Sequence, residues 1–107
     1  MLLGYRDVDR GRLLENVVYF EIMRRGYDAA VGKIVEKEVD FVAVKPEEKI
    51  YYQVAETLVG EGTRERELAS FRGITDSYEK IVLSMDRNFV TSYDGIKVIN
   101  LVDWLLS

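Results

Sequence analysis

The 107-residue chain has no cysteine and no histidine, and only one proline and one tryptophan. Without thiols or imidazoles it can form no disulfide and no zinc site of the usual Cys/His kind. It also has no cysteine nucleophile and no histidine acid–base step. A cysteine-free chain fits a reducing cytosol. No apolar run approaches the ~20 residues of a membrane span. The opening stretch MLLGYRDVDRG is too short and too charged for a signal peptide. The chain therefore reads as soluble and cytoplasmic, with no membrane partner. It carries no GxxxxGK[ST] phosphate loop, so ATP chemistry belongs to another domain or protein. Internal repeats, low-complexity tracts and Pro/Gly/Ser linkers are also missing, and residues 1–107 are expected to form one domain.

Excess positive charge is another absence. Fifteen basic and nineteen acidic side chains give a net charge of −4, which argues against a surface attracted as a whole to phosphate backbones. The best local cluster for nucleic acid is Arg10, Arg12, Arg24 and Arg25 around the first helix, which predicts at most weak, salt-sensitive DNA binding. A second group, Arg64, Arg66 and Arg72, alternates with acids in TRERE and reads as a solvated helix face.

What is present is 48% apolar content, ample for one core. Residues 9–26 carry Leu13, Leu14, Val17, Val18 and Ile22 at helical spacing, with Gly26 as the stop. YDAAVGKI is a weaker strand candidate; EVDFVAV and KIYYQVA are stronger ones, joined through Pro46 as a hairpin. TRERELASFRG predicts a second helix with Thr63 as its N-cap and Gly73 near its end. KIVLSM is a buried strand, GIKVIN a short one, and NLVDWLL a closing helix with Leu101, Trp104 and Leu105 facing the core. The fold class is α/β, a central mixed sheet flanked by helices.

Two polar residues interrupt the apolar strands. Counting by twos, Asp40 shares a face with Val42 and Val44, and Gln53 with Tyr51 and Ala55. In register, Asp40 and Gln53 project from the same side of neighbouring strands. Glu15 lies at the margin of the helical stripe, with Val18, Tyr19 and Ile22 at i+3, i+4 and i+7, so packing can bring it to the pair. Two carboxylates and an amide oxygen make an all-oxygen site suited to Mg²⁺ or Mn²⁺. The alternative is that the three form a purely structural polar cluster.

These parts in this order resemble the PD-(D/E)XK nuclease superfamily, which includes restriction endonucleases and archaeal Holliday junction resolvases. Its motif places an acid on the first helix, an acid on the second strand, and Glu or Gln, any residue and Lys on the third. The corresponding residues are Glu15, Asp40 and Gln53-Val54-Ala55. More closely, the chain resembles the domain of unknown function at the C-terminal end of many prokaryotic AAA-type ATPases. GRLLENVVYFEIMRRGYD, EVDFVA, YYQVA, TRERE, VLSMD and GIKVINL carry that likeness in order, over residues 9–107.

The resemblance implies a restriction-endonuclease-like αβββαβ core and a chain that is the C-terminal part of a longer ATPase. It also implies a departure. Where active members carry a lysine that orients and activates the attacking water, this chain has Ala55. Lys49 lies on Gln53's face but four residues away, roughly 13 Å along a strand. Lys33, on the preceding strand, and Lys45, on the opposite face of the Asp40 strand, are no better placed by strand geometry. The expectation is a catalytically degenerate nuclease-like domain serving as a binding or interaction module of an AAA-type ATPase, with Glu15, Asp40 and Gln53 as a relic site. The alternatives are a weak Mg²⁺-dependent DNA endonuclease and a domain that contacts only protein.

Overall fold

Helix α1, Leu3–Arg24, begins earlier than its apolar periodicity suggests and buries Val18 and Ile22 against the sheet. Its end follows from Gly26, which adopts a φ of 88° that side-chain-bearing residues rarely take. The Gly26 N–H donates to Met23 O at 2.9 Å and the Tyr27 N–H to Ile22 O at 3.2 Å. That pair of bonds is a Schellman stop, and Tyr27 packs against the apolar cluster to which Ile22 belongs. This computed structural model describes residues 3–33, 39–60, 62–87 and 91–107, and the side chains of residues 3–10 and of Thr91 lie outside that description.

The strands are β1 Asp28–Val31, β2 Phe41–Lys45 and β3 Glu48–Ala55, followed by helix α2 Thr63–Ala69. Then come β4 Glu79–Ser84, β5 Thr91–Tyr93, β6 Ile96–Asn100 and helix α3 Leu101–Leu106. The first six elements thus run α-β-β-β-α-β. One mixed sheet is formed in the order β1-β2-β3-β4-β6-β5. β1, β2 and β3 pair antiparallel, with Pro46 and Glu47 as the two-residue turn of the β2–β3 hairpin. β4 is parallel to both β3 and β6. Its run of four buried residues, Ile81 to Ser84, is what a strand covered on both faces requires.

Several boundaries differ from the sequence expectation. Strand β2 starts at Phe41, leaving Asp40 just before it, and Ile34 and Glu38, the facing ends of the two predicted segments, lie outside the described residues. The N-cap of α2 is Gly62, at φ 74°, rather than Thr63. Thr63 is the first helical residue, and its hydroxyl accepts from Arg66 instead of a backbone N–H. The helix stops at Ala69 because Ser70, Phe71 and Arg72 donate to carbonyls three residues back, a tighter winding. Strand β5 was not anticipated. Its signal is the Asp94-Gly95 pair, both at positive φ, which closes a two-residue hairpin onto β6.

The sheet separates two apolar layers. On one face Phe41, Ala43, Tyr52, Ile81 and Leu83 pack under Val18 and Ile22 of α1 and Leu101 and Trp104 of α3. On the other, Val42, Tyr51, Val82 and Ile96 pack with Phe71 and Ile74, which follow α2.

Helices α1 and α3 are latched by charge. The Glu21 carboxylate, 8% exposed, accepts from Arg24 Nε at 2.8 Å and from Arg25 Nε at 2.6 Å. Arg25 lies over the Trp104 ring at 4.5 Å and donates to the Trp104 carbonyl. Hydrogen bonding from Arg24, joined by Arg25, outweighs the opposing effect of burial and lowers the Glu21 pKa from 4.5 to about 2. A carboxylate depressed on folding adds stability above its unfolded value and loses it as pH falls. Stability should therefore decline as the pH drops from 4.5 towards about 2. Glu21→Gln should flatten that decline and cost about 1–2 kcal/mol at neutral pH. Most of the loss comes through the sheltered Arg25, since Arg24 is largely solvent-screened. Thermal unfolding of both proteins across acid pH tests this; parallel curves would refute it.

Candidate functional site

Asp40 sits where β2 begins, and its neighbours replace the ladder there. On the β1 side the Gly32 N–H donates to Asp40 O at 2.9 Å. On the β3 side the Asp40 N–H donates to Gln53 Oε1 at 3.0 Å, and the Val54 N–H donates to Asp40 Oδ2 at 2.8 Å. The register that pairs Phe41 with Tyr52 sets Asp40 opposite Gln53, as alternation predicts. Side chains thus complete two hydrogen bonds that a continuing strand would make through its backbone.

A cleft of about 350 Å³ opens beside this point. Glu15, Asn16 and Tyr19 of α1 form one wall; Val31 and Lys33 at the end of β1, with Asp40 and Phe41, form the other. Glu15 and Asp40 therefore share one cleft, as expected from the helical stripe. Asp40 is pushed up to about 6, first by burial and then by the negative charges of Glu15 and Glu67. The Val54 N–H and the Lys33 charge act in the opposite direction. This carboxylate is crowded by like charge.

Lys33 is placed differently from the strand-based expectation. It is no substitute if only its own strand is considered, yet it lines the same cleft as Glu15 and Asp40. The reason is register. Val31 pairs with Phe41 and Gly32 with Asp40, so the residue after Gly32 emerges beside Asp40. Gly32 makes this approach possible, because a Cβ there would lie 1.8 Å from Val39 O. The other two lysines are engaged elsewhere: Lys45 over the Tyr27 ring at 4.3 Å and Lys49 over the Tyr78 ring at 5.4 Å.

Gln53 reaches both ways. Its oxygen accepts from Asp40 N, and its amide nitrogen donates to Glu67 Oε1 of α2 at 3.0 Å. Helix α1 was expected to pack across both Asp40 and Gln53. It packs instead on the face carrying Phe41 and Tyr52, while Gln53 lies on the α2 face with Tyr51. Glu15 meets Asp40 only because Asp40 stands at the sheet's end, where both faces are reachable. Glu67 was missed, since only the β3–α2–β4 crossover brings TRERE over Gln53. Ala55 pairs with Ser84 of β4 at the strand's end. Among the described residues, no group of three or more carboxylates is arranged to hold a metal ion.

The arginines do not form one patch. Arg24 and Arg25 are tied to Glu21, and Arg12, an exposed residue, lies about 18 Å away along the helix. The side chain of Arg10 lies outside the described residues. On the α2 face Arg64 bonds Glu65 and stacks 4.7 Å from the Tyr93 ring centroid, beside a larger cleft of about 810 Å³.

Fold and site together define a small α/β domain with a carboxylate- and lysine-lined cleft at one end of a mixed sheet. No protein-family model matches the chain. An uncharacterized protein of Haemophilus influenzae is 41% identical over 104 residues, which is 97% of this chain and 25% of that protein. The chain thus spans about a quarter of that relative's length. Among the described residues, no helix is long and apolar enough to cross a membrane.

Proposed function

We propose that the chain is a nuclease-like domain of a larger protein of AAA-ATPase type, acting at phosphodiesters through a hard divalent cation. Glu15 and Asp40 hold the cation, and Lys33 supplies the positive side chain that Ala55 does not. The observation that carries this reading is the shared cleft of Glu15, Asp40 and Lys33. The donors fit Mg²⁺ or Mn²⁺: both are carboxylates, and Mg²⁺ is commonly held by one or two of them plus waters and substrate phosphate. Burial first, and the Glu15 and Glu67 charges after it, raise Asp40 to about 6, and a bound cation would relieve the like-charge part. When bound, the metal would lower the pKa of coordinated water and neutralise charge growing on phosphorus. In hydrolysis water adds to phosphorus and loses a proton to solvent, one P–O ester bond breaks, and the leaving oxygen takes up a proton from solvent. Lys33 stabilises the non-bridging oxygens, while the fixed Asp40 keeps the site organised. A relative whose matched segment is a quarter of its length fits a domain within a longer chain.

A second reading, binding without cleavage, is favoured by a different feature. Leu13, Phe20 and Met23 of α1 are 61%, 67% and 50% exposed. They lie on one side of the helix, away from the sheet, and suit contact with protein.

Calorimetric titration with Mn²⁺ and a plasmid-nicking assay in Mg²⁺ or Mn²⁺ test the main reading. The expected result is Mn²⁺ binding and slow nicking, both reduced at least about 100-fold by Asp40→Asn. Absence of both in the unaltered chain would leave only the contact-domain reading.

A further inference from the structure

We infer that Glu67 is a positioning residue for Asp40, acting across the sheet through the Gln53 amide. This deepens the proposed site and rests on Asp40 as a cation holder. A glutamine side chain presents a donor end and an acceptor end of nearly equal shape, so its orientation must be fixed by what surrounds it. At Gln53 the two neighbours are of opposite kind. The Asp40 N–H can only donate, and it meets Oε1 at 3.0 Å. The Glu67 carboxylate, when ionised, can only accept, and it meets Nε2 at 3.0 Å. Each neighbour enforces the same orientation, and Gln53 is only 9% exposed, so water is poorly placed to replace either.

The consequence falls on Asp40. Its backbone is fixed by Gln53 and its Oδ2 by the Val54 N–H at 2.8 Å. The carboxylate is thus anchored through Oδ2 to the strand that Gln53 also holds, so its direction depends on both contacts. Without Glu67 the buried NH₂ loses its acceptor, and the amide keeps only one of the two contacts that set its orientation. A flipped amide sets NH₂ against the Asp40 N–H, donor against donor, and releases the backbone beneath the carboxylate. Groups that orient a metal-binding side chain from behind typically change metal affinity 10- to 100-fold.

The test compares the unaltered chain with Glu67→Ala, Glu67→Met and Glu67→Gln. Met keeps the aliphatic stem and loses the acceptor, so it serves should the alanine variant fold poorly. Gln keeps an acceptor oxygen and loses the charge. Two measurements are made: Mn²⁺ affinity by calorimetry, and amide hydrogen exchange at Asp40 and Val54 by NMR. Glu67→Ala and Glu67→Met are expected to weaken Mn²⁺ binding about 10- to 100-fold. In the same variants exchange at Asp40 and Val54 should accelerate at least about tenfold, with ladder amides such as Phe41 and Tyr52 unchanged. Glu67→Gln should restore both to within about threefold, which a general loss of stability would not do. Unchanged exchange at Asp40 in the acceptor-less variants overturns the inference whether or not any cation binds. Accelerated exchange in a protein that binds no Mn²⁺ supports the positioning contact and refutes the cation reading.

Discussion

Lys33→Ala is expected to slow divalent-cation-dependent phosphodiester cleavage by at least about 100-fold, the scale of losing one electrostatic stabiliser of the transition state. Mn²⁺ affinity should stay within about threefold, because the carboxylates that hold the cation remain. That separation distinguishes Lys33 from Asp40, whose replacement should remove both properties. Lys33 is exposed and lines the Glu15–Asp40 cleft, so truncating it creates no cavity in either apolar layer. A second consequence does not depend on turnover. Lys33 lowers the pKa of Asp40, so Asp40 should titrate higher in the variant, which carboxyl NMR reads directly. Adding Ala55→Lys to Lys33→Ala then asks whether the superfamily's usual position can serve. Ala55 is only half-buried at the end of β3, and the longer side chain should be tolerated there. Cleavage within threefold of the unaltered protein after Lys33→Ala would end Lys33's assigned role.

Gly32→Ala is expected to destabilise the domain by about 2–3 kcal/mol, a melting-temperature drop of roughly 10–20 °C. The cause is space rather than backbone strain. A Cβ built on Gly32 meets Val39 O at 1.8 Å and Val39 C at 2.8 Å. Those atoms are backbone, and Val39 is fully buried, so relief requires β1 and the approach to β2 to move apart. Such movement also breaks the Gly32–Asp40 hydrogen bond of 2.9 Å and shifts Lys33 out of the cleft. Gly11 provides the contrast. It lies within α1 with nothing within 4 Å of a built Cβ, and Gly11→Ala should stabilise by about 0.5–1 kcal/mol through helix propensity. Denaturant unfolding of both variants is the measurement. A Gly32→Ala protein within 0.5 kcal/mol of the unaltered one would show that the close approach to Val39 is not there.

Much of the architecture was legible because local patterns carried it. The 3.6-residue spacing of Leu14, Val18 and Ile22 located α1, and Gly26 fixed its end. The Pro46 turn announced the β2–β3 hairpin, and the apolar run Ile81–Leu83 announced a strand covered on both faces. The pairing of Asp40 with Gln53 also followed from period-two alternation and a hairpin through Pro46, in the register that the structure adopts. Boundaries were harder. Asp94-Gly95 is a strong hairpin signal, but the three-residue strand β5 before it is too short to carry an alternation, and Thr63 resembles an N-cap in a place where Gly62 does that work.

The sequence by itself determined the α/β class, the hairpin that sets Asp40 beside Gln53, and the chemistry excluded by the absence of thiols and imidazoles. It did so because alternation, helical spacing and composition are properties of neighbouring residues. Tertiary structure alone decided three matters. Antiparallel pairing of β1 with β2 brought Lys33 to Asp40. The parallel crossover through α2 brought Glu67 over Gln53. Packing of α1 on the opposite face left Glu15 to meet Asp40 only at the sheet's end. Each is a contact between segments whose relative placement is set by the whole sheet and its buried layers, and no local pattern in the chain encodes it.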